Sequence, residues 1–264
     1  DKVDEISRED QEFMILESRF LEKPAFAVEQ GRNAAKHMEQ DSRKILDIAL
    51  GLIYSYSDEQ AERVQKLESK IDRYEDELGT YLVKLNNKDL SERDSHSVSI
   101  MLHCIGDFER ISDHAVNIME SAQELHEKNI SFSPQARNEL QVLIAVVSRI
   151  VDTAYQVFDK QDLNLTRDVE PLEEIVDELS KELKRRHVNR LRLGECTIEM
   201  CFILTDLITS LERIADHCSN ISVCVTQVRE NLYDTHSHLE NLKNEPDDSY
   251  YNRLGELHKE YVLP

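Results

Sequence analysis

The chain has 264 residues and a mass of 30.7 kDa, enough for one large domain or for two modules of about a hundred residues each. Only 6 glycines and 5 prolines are present, too few for the short strands and tight turns of a β-sandwich or for a collagen-like repeat. Acidic residues outnumber basic ones 53 to 32, and the net charge of −21 repels nucleic-acid backbones and anionic lipid, which leaves cations or a protein with a basic face as the better partners.

Apolar residues recur at helical spacing along almost the whole chain, which predicts an all-α fold. After a leading segment over residues 1–30, the first helix is expected over 24–56, ending at Tyr56, Ser57 and Asp58. The second runs over 58–86 with Val64, Leu67, Ile71, Tyr74 and Leu78 on one stripe, and stops at Asn86 and Asn87. The third covers 94–128, and a break from Asn129 to Pro134 follows, in which Ser133 reads as an N-cap and Pro134 as the first helical residue. The fourth spans 134–160, and its longest apolar stretch, Leu140 to Val151, is shorter than the roughly 20 residues a bilayer requires, so no membrane helix is expected. A break from Asp159 to Asp168 precedes the fifth helix at 167–190. Gly194 separates that helix from the sixth at 195–232, which carries Leu204, Leu207, Ile208, Leu211, Ile214 and Ala215. A polar tail over 233–264 ends the chain, with a short helix near 248–261.

Cys104, Cys196, Cys201, Cys218 and Cys224 form an odd set without a C-x-x-C pair, as expected of reduced thiols in a cytosol rather than a disulfide framework or a structural zinc site. The chain starts at Asp1 with neither an initiator Met nor a signal-peptide pattern, which suggests a piece of a longer product.

An internal repeat fixes the architecture further. VQKLESKIDRYEDEL from Val64 aligns with VEPLEEIVDELSKEL from Val169, and ERISDHAVNI from Glu109 aligns with ERIADHCSNI from Glu212, at offsets of about 105 and about 103 residues. KILDIAL from Lys44 and RIVDTAY from Arg149 follow the first of these offsets. The expected fold is therefore two tandem antiparallel three-helix bundles, over 31–128 and 134–232.

Each repeat holds two E-x-x-x-D motifs: Glu68 with Asp72 and Glu109 with Asp113 in the first, Glu173 with Asp177 and Glu212 with Asp216 in the second. A spacing of four stacks both carboxylates on one helical face, where like charges cost roughly 0.2–0.5 kcal/mol unless a cation neutralises them. In so acidic a chain most such pairs are a solvated face. These recur at equivalent places in both repeats, wedged among apolar positions, which favours a site for hard cations, iron or manganese. Each four-residue step advances about 40°, so Glu109, Asp113, Asn117 and Glu212, Asp216, Asn220 trace stripes that drift from the apolar centre to the rim of the bundle. Asn117 and Asn220 either add carbonyl oxygens to a metal or bond a neighbouring helix. His114 and His217 point about 100° away from the motif aspartates and suit interhelical hydrogen bonds better than ligation. Arg110 and Arg213 are expected to pair with nearby carboxylates, and His236 and His238 to lie in a solvated tail.

No histidine has Glu three residues before it, which argues against an oxygen-activating di-iron bundle. Phosphate-binding glycine loops, a nucleophile elbow and H-E-x-x-H are also missing, so the sequence offers no support for catalysis.

The two E-R-I-x-D-H-x-x-N-I blocks, each preceded by an E-x-x-x-D helix, resemble the PhoU family over about Ala34 to Leu232. That resemblance implies paired three-helix bundles, regulation of phosphate uptake, and metal ligation by Glu68, Asp72, Glu109, Asp113, Glu173, Asp177, Glu212 and Asp216, with iron, manganese, zinc and magnesium all open. A narrower likeness lies in LESRFLEKPAFAVEQ from Leu16, in the stretch Arg190 to Ser222 and in DTHSHL from Asp234. These resemble the cytoplasmic C-terminal region of bacterial Na/Pi cotransporters. The likeness implies a regulatory domain on the inner face of the plasma membrane, joined through Leu16, Phe20, Leu21, Pro24, Ala27 and Val28 to a membrane domain of the same polypeptide, with phosphate as a further ligand. A free-standing regulator of phosphate uptake and signalling and a carboxylate metalloenzyme are the alternatives. Leu254, Leu257, Tyr261 and Val262 near the C-terminus suit either self-association into a homo-oligomer or capping of a bundle.

Overall fold

The computed structural model describes residues 12–230 and 249–264. Residues 1–11 and the tail region holding Asp234 to Leu239, with His236 and His238, lie outside the described residues. Two 3-10 turns, Met14–Leu16 and Ser18–Glu22, lead into α1 (Pro24–Leu52), α2 (Asp58–Asn86), α3 (Glu92–Glu127), α4 (Pro134–Lys160), α5 (Leu163–Arg192), α6 (Ile198–Glu230) and α7 (Ser249–Glu260). The all-α fold and the duplicated three-helix plan are as expected from the sequence.

Capping explains where the boundaries differ from expectation. α1 stops at Leu52 rather than 56, because the amides of Tyr54 and Ser55 both turn back to the Gly51 carbonyl. α5 begins at Leu163, four residues early, because the Asp162 carboxylate accepts the Asn164 amide at 2.9 Å. It then runs through Pro171, giving up one backbone hydrogen bond. Ser133 caps α4 as expected, accepting the Ala136 amide at 3.2 Å. Gly194, at φ +75°, makes the left-handed turn between α5 and α6.

α1, α2 and α3 pack on one another, as do α4, α5 and α6, and the two bundles then join side by side through α3 and α6, which share the most extensive helix contact in the protein. Phe108 of α3 sits at the seam, fully buried and edge-on to Tyr155 and Phe158 of α4. Ser42 of α1 ties the same point together, its Oγ lying 2.8 Å from the Tyr155 hydroxyl and 3.1 Å from the Phe108 carbonyl oxygen. Removing a ring so placed costs about 3–5 kcal/mol. α4 is long and apolar enough, by composition, to cross a bilayer, contrary to the reading of its apolar core alone. Half of its most apolar stretch is buried in the protein, with Leu140, Leu143, Val147, Ile150 and Val151 in the core.

Each bundle carries a cap from outside the repeat. Phe13 packs on Tyr74 of α2 with the Arg73 guanidinium 4.0 Å over its ring, and Glu12 pairs with Lys70 at 2.6 Å. Leu21, Ala27 and Val28 of the leading segment are likewise buried. On the second bundle, α7 lies on α5 with Leu254 and Leu257 buried, so these residues cap the bundle, while Val262 stays exposed. Arg149 to Glu260 at 2.7 Å and Arg253 to Asp168 at 2.9 Å fix α7 in place.

Candidate metal centre

Periodicity alone fixes only which carboxylates share a helix face; the packing of α2 on α3 decides which of them meet. In the first repeat Glu68 and Asp72 of α2 and Asp113 of α3 each offer an oxygen within 4.8 Å of the others. Glu109 stands one turn before Asp113 and belongs to the same electrostatic cluster. Burial, then Asp113, and further Asp72 and Glu75, push its carboxyl up to about 7, against the opposing Arg110. Burial and Asp72 raise Glu68, and burial and Asp113 raise Asp72. All four side chains sit at the rim, half-buried apart from the exposed Asp72, as the drift of the stripe predicts. Arg110 lies 3.3 Å from Asp113 and 3.4 Å from Glu109 but is mostly exposed, so it screens the cluster only partly. Three convergent carboxylates with a fourth beside them are the donor set that hard divalent cations and iron prefer, and these residues fit such an ion.

The second repeat places Glu173, Asp177, Glu212 and Asp216 at equivalent positions, yet no matching convergence of three ligand atoms occurs there among the described residues. Two lysines explain the difference. Lys181, one turn after Asp177, binds its carboxylate at 2.9 Å, and Lys184 reaches across to Glu212 at 2.7 Å. The first repeat has Asp76 and Gly79 at the corresponding places. Glu173 is still pushed up to about 7, by burial first and then by Glu170, Asp177 and Asp216. Sequence reasoning overlooked both lysines, although Lys181 stands four residues after Asp177 and is visible on a helical wheel.

Asn117 and Asn220 turn away from the carboxylate clusters to the α3–α6 seam. The Asn220 amide donates to Asp107 Oδ1 at 3.3 Å, and His217 Nδ1 meets the same oxygen at 2.9 Å. Asn117 lies 3.5 Å from His114 Nδ1, and the two imidazoles face each other with centroids 5.7 Å apart. The histidines thus serve the helix interface, as their angular offset from the aspartates implies. Arg213 pairs with Asp216 at 3.0 Å, again as expected.

A family model described as the PhoU domain matches residues 35–122 and 140–225. The phosphate-specific transport system accessory protein PhoU homolog 1 of Thermotoga maritima is 30% identical over 115 residues, which cover 44% of this chain and 49% of that protein, so the chain spans about half the length of this relative. The accessory protein PhoU homolog of Deinococcus radiodurans is 22% identical over 72% of this chain and 88% of its own length. The crystal structure of PhoU from Pseudomonas aeruginosa superposes with a TM-score of 0.72 at 23% identity, covering 78% of this chain and 98% of that one, a likeness of fold.

Proposed function

The chain belongs to the PhoU family, and on that premise we propose that it is a regulatory accessory protein of phosphate uptake that binds a divalent or iron cation at Glu68, Asp72 and Asp113, with Glu109 beside them. One observation carries the metal assignment: three carboxylates from two helices converge with neither a lysine among them nor a buried arginine. When bound, the cation would supply charge neutralisation, holding α2 against α3. The chain's own residues do the rest. The helix packing places the oxygens, and burial keeps Glu68, Asp72 and Glu109 reluctant to ionise without a positive partner. Glu212 and Asp177 already have lysine partners, so the second cluster is the weaker site.

The relatives are named as accessory proteins of phosphate-specific transport systems. This supports a transporter as partner and the free-standing regulator as the better reading of this chain. The narrower likeness to the cytoplasmic region of a Na/Pi cotransporter rests on the leading segment, the stretch Arg190 to Ser222 and the tail. The tail lies outside the described residues, and the described part of the leading segment packs on the first bundle. Several apolar segments encoded upstream of Asp1 would restore that reading.

Metal content by mass spectrometry on tag-free protein, beside a Glu68→Gln/Asp113→Asn variant of unchanged circular dichroism, tests the site. Bound metal that falls in the variant is expected; equal content in both proteins sinks it. Deleting the gene and measuring uptake of labelled phosphate tests the regulatory role, and uptake indifferent to the deletion and to wild-type rescue would refute it.

A further inference from the structure

The two repeats meet at α3 and α6 in a pseudo-symmetric way, and the symmetry is broken at one residue. Asp107 of α3 accepts hydrogen bonds from His217 and Asn220 of α6. At an offset of about 103 residues, the counterparts of His217 and Asn220 are His114 and Asn117, and the counterpart of Asp107 is Ser210. Serine is too short to repeat the contact. The two groups that share one carboxylate oxygen in the first arrangement have only each other in the second, the Asn117 amide donating to His114 Nδ1 over a long 3.5 Å.

A cavity of about 390 Å³ opens there, lined by His114, Asn117, Ser121, Thr209 and Ser210, with Glu120, Glu124 and Asp206 around it. Ser121 and Ser210 are only 9% and 6% exposed, and neither has a hydrogen-bond partner among the described residues. Two hydroxyls that face the cavity, an imidazole and a carboxamide converge where the other half of the seam holds a carboxylate. Of the surrounding acids, Glu124 is paired with Lys128 at 2.7 Å. Glu120 and Asp206 would repel a highly charged ligand such as a polyphosphate.

We propose that this cavity is a binding site for a small oxyanion, a carboxylate or inorganic phosphate, which takes the place that Asp107 fills in the opposite half of the seam. His114 Nδ1 and the Asn117 amide donate to one of its oxygens, as His217 and Asn220 do to Asp107, and the hydroxyls of Ser121 and Ser210 donate to the others. The site is separate from the carboxylate cluster and does not depend on a metal there.

The test titrates full-length protein carrying ring-labelled histidine with inorganic phosphate, and separately with acetate, at constant ionic strength and with chelator present, following the imidazole resonances by NMR. A saturable shift at His114 is expected with at least one of the two anions. The anion that produces it identifies the ligand as phosphate-like or carboxylate-like. Ser210→Asp should abolish that shift by supplying the carboxylate internally, and Asp107→Ser should give His217 a saturable shift of its own. Should either variant fail to fold by circular dichroism, Asn117→Ala takes its place, with at least a tenfold loss of affinity expected. No saturable shift up to tens of millimolar of both anions overturns the proposal, as does a His114 response unchanged in Ser210→Asp or Asn117→Ala.

Discussion

Glu39 of α1 is 7% exposed, and its Oε2 has no hydrogen-bond partner. Burial first and then the nearby Asp159 push its carboxyl up to about 8, against a smaller opposing effect of Lys36. A carboxyl raised in the folded state costs nothing below its unfolded value near 4.5. Its penalty grows as pH rises, because the unfolded chain sheds the proton first, and levels off above the folded value. Linkage puts the penalty at about 1 kcal/mol at pH 5 and about 4 kcal/mol at pH 8. Glu39→Gln removes the titration. Its stability relative to wild type should therefore rise by about 3 kcal/mol between pH 5 and pH 8. That difference is the clean quantity. The fit of the amide is the same at both pH values, and the other raised carboxyls, Glu109 and Glu173 among them, are present in both proteins. Urea unfolding at pH 5, 6.5 and 8 with chelator present measures it. Profiles for wild type and variant that run parallel within about 1 kcal/mol would refute the reasoning and mean that Glu39 is ionised and solvated in the folded protein.

Glu139 of α4 is buried and holds Arg190 at 2.8 Å and Arg186 at 3.0 Å. Glu139→Ala strands the buried Arg190 and should cost about 3–5 kcal/mol in urea unfolding, and a loss below about 1 kcal/mol would mean the guanidinium finds water. Lys181→Ala/Lys184→Ala removes the cations from the second carboxylate cluster, so mass spectrometry should find more bound metal per chain than in wild type. Unchanged metal content would show that the lysines do not hold that cluster closed.

The helices and their duplication were legible because amphipathic periodicity and a shared E-R-I-x-D-H block survive in the sequence itself. Helix ends were read less well. Gly51 and Asp162 set two of them through local hydrogen bonds that no periodic pattern announces. The carboxylate motifs were legible as pairs, whereas the convergence of Glu68, Asp72 and Asp113 depends on how α2 lies on α3. The seam between the bundles was not legible at all. Nothing in the spacing of Asp107 shows that it meets His217 and Asn220 from the other repeat, since contact across 110 residues is a property of the packed state.

Divergence between the repeats follows one rule at two places. In the carboxylate clusters the second half has lysines where the first has Asp76 and Gly79. At the seam the contact to Asp107 is complete, while its counterpart ends at Ser210 and a cavity. In each pair one site meets its charge with well-placed partners of the same chain, and the other is left with an exposed arginine or a long 3.5 Å contact. The two open sites share a helix. Asp113 of the carboxylate cluster and His114 of the cavity are consecutive residues of α3, about 100° apart around its axis. Occupants of the two sites would therefore act on one rigid element from different sides. If the position of α3 differs between ligand states, cation and oxyanion affinities must change each other by the same factor, so measuring phosphate affinity with and without metal tests that coupling from either direction.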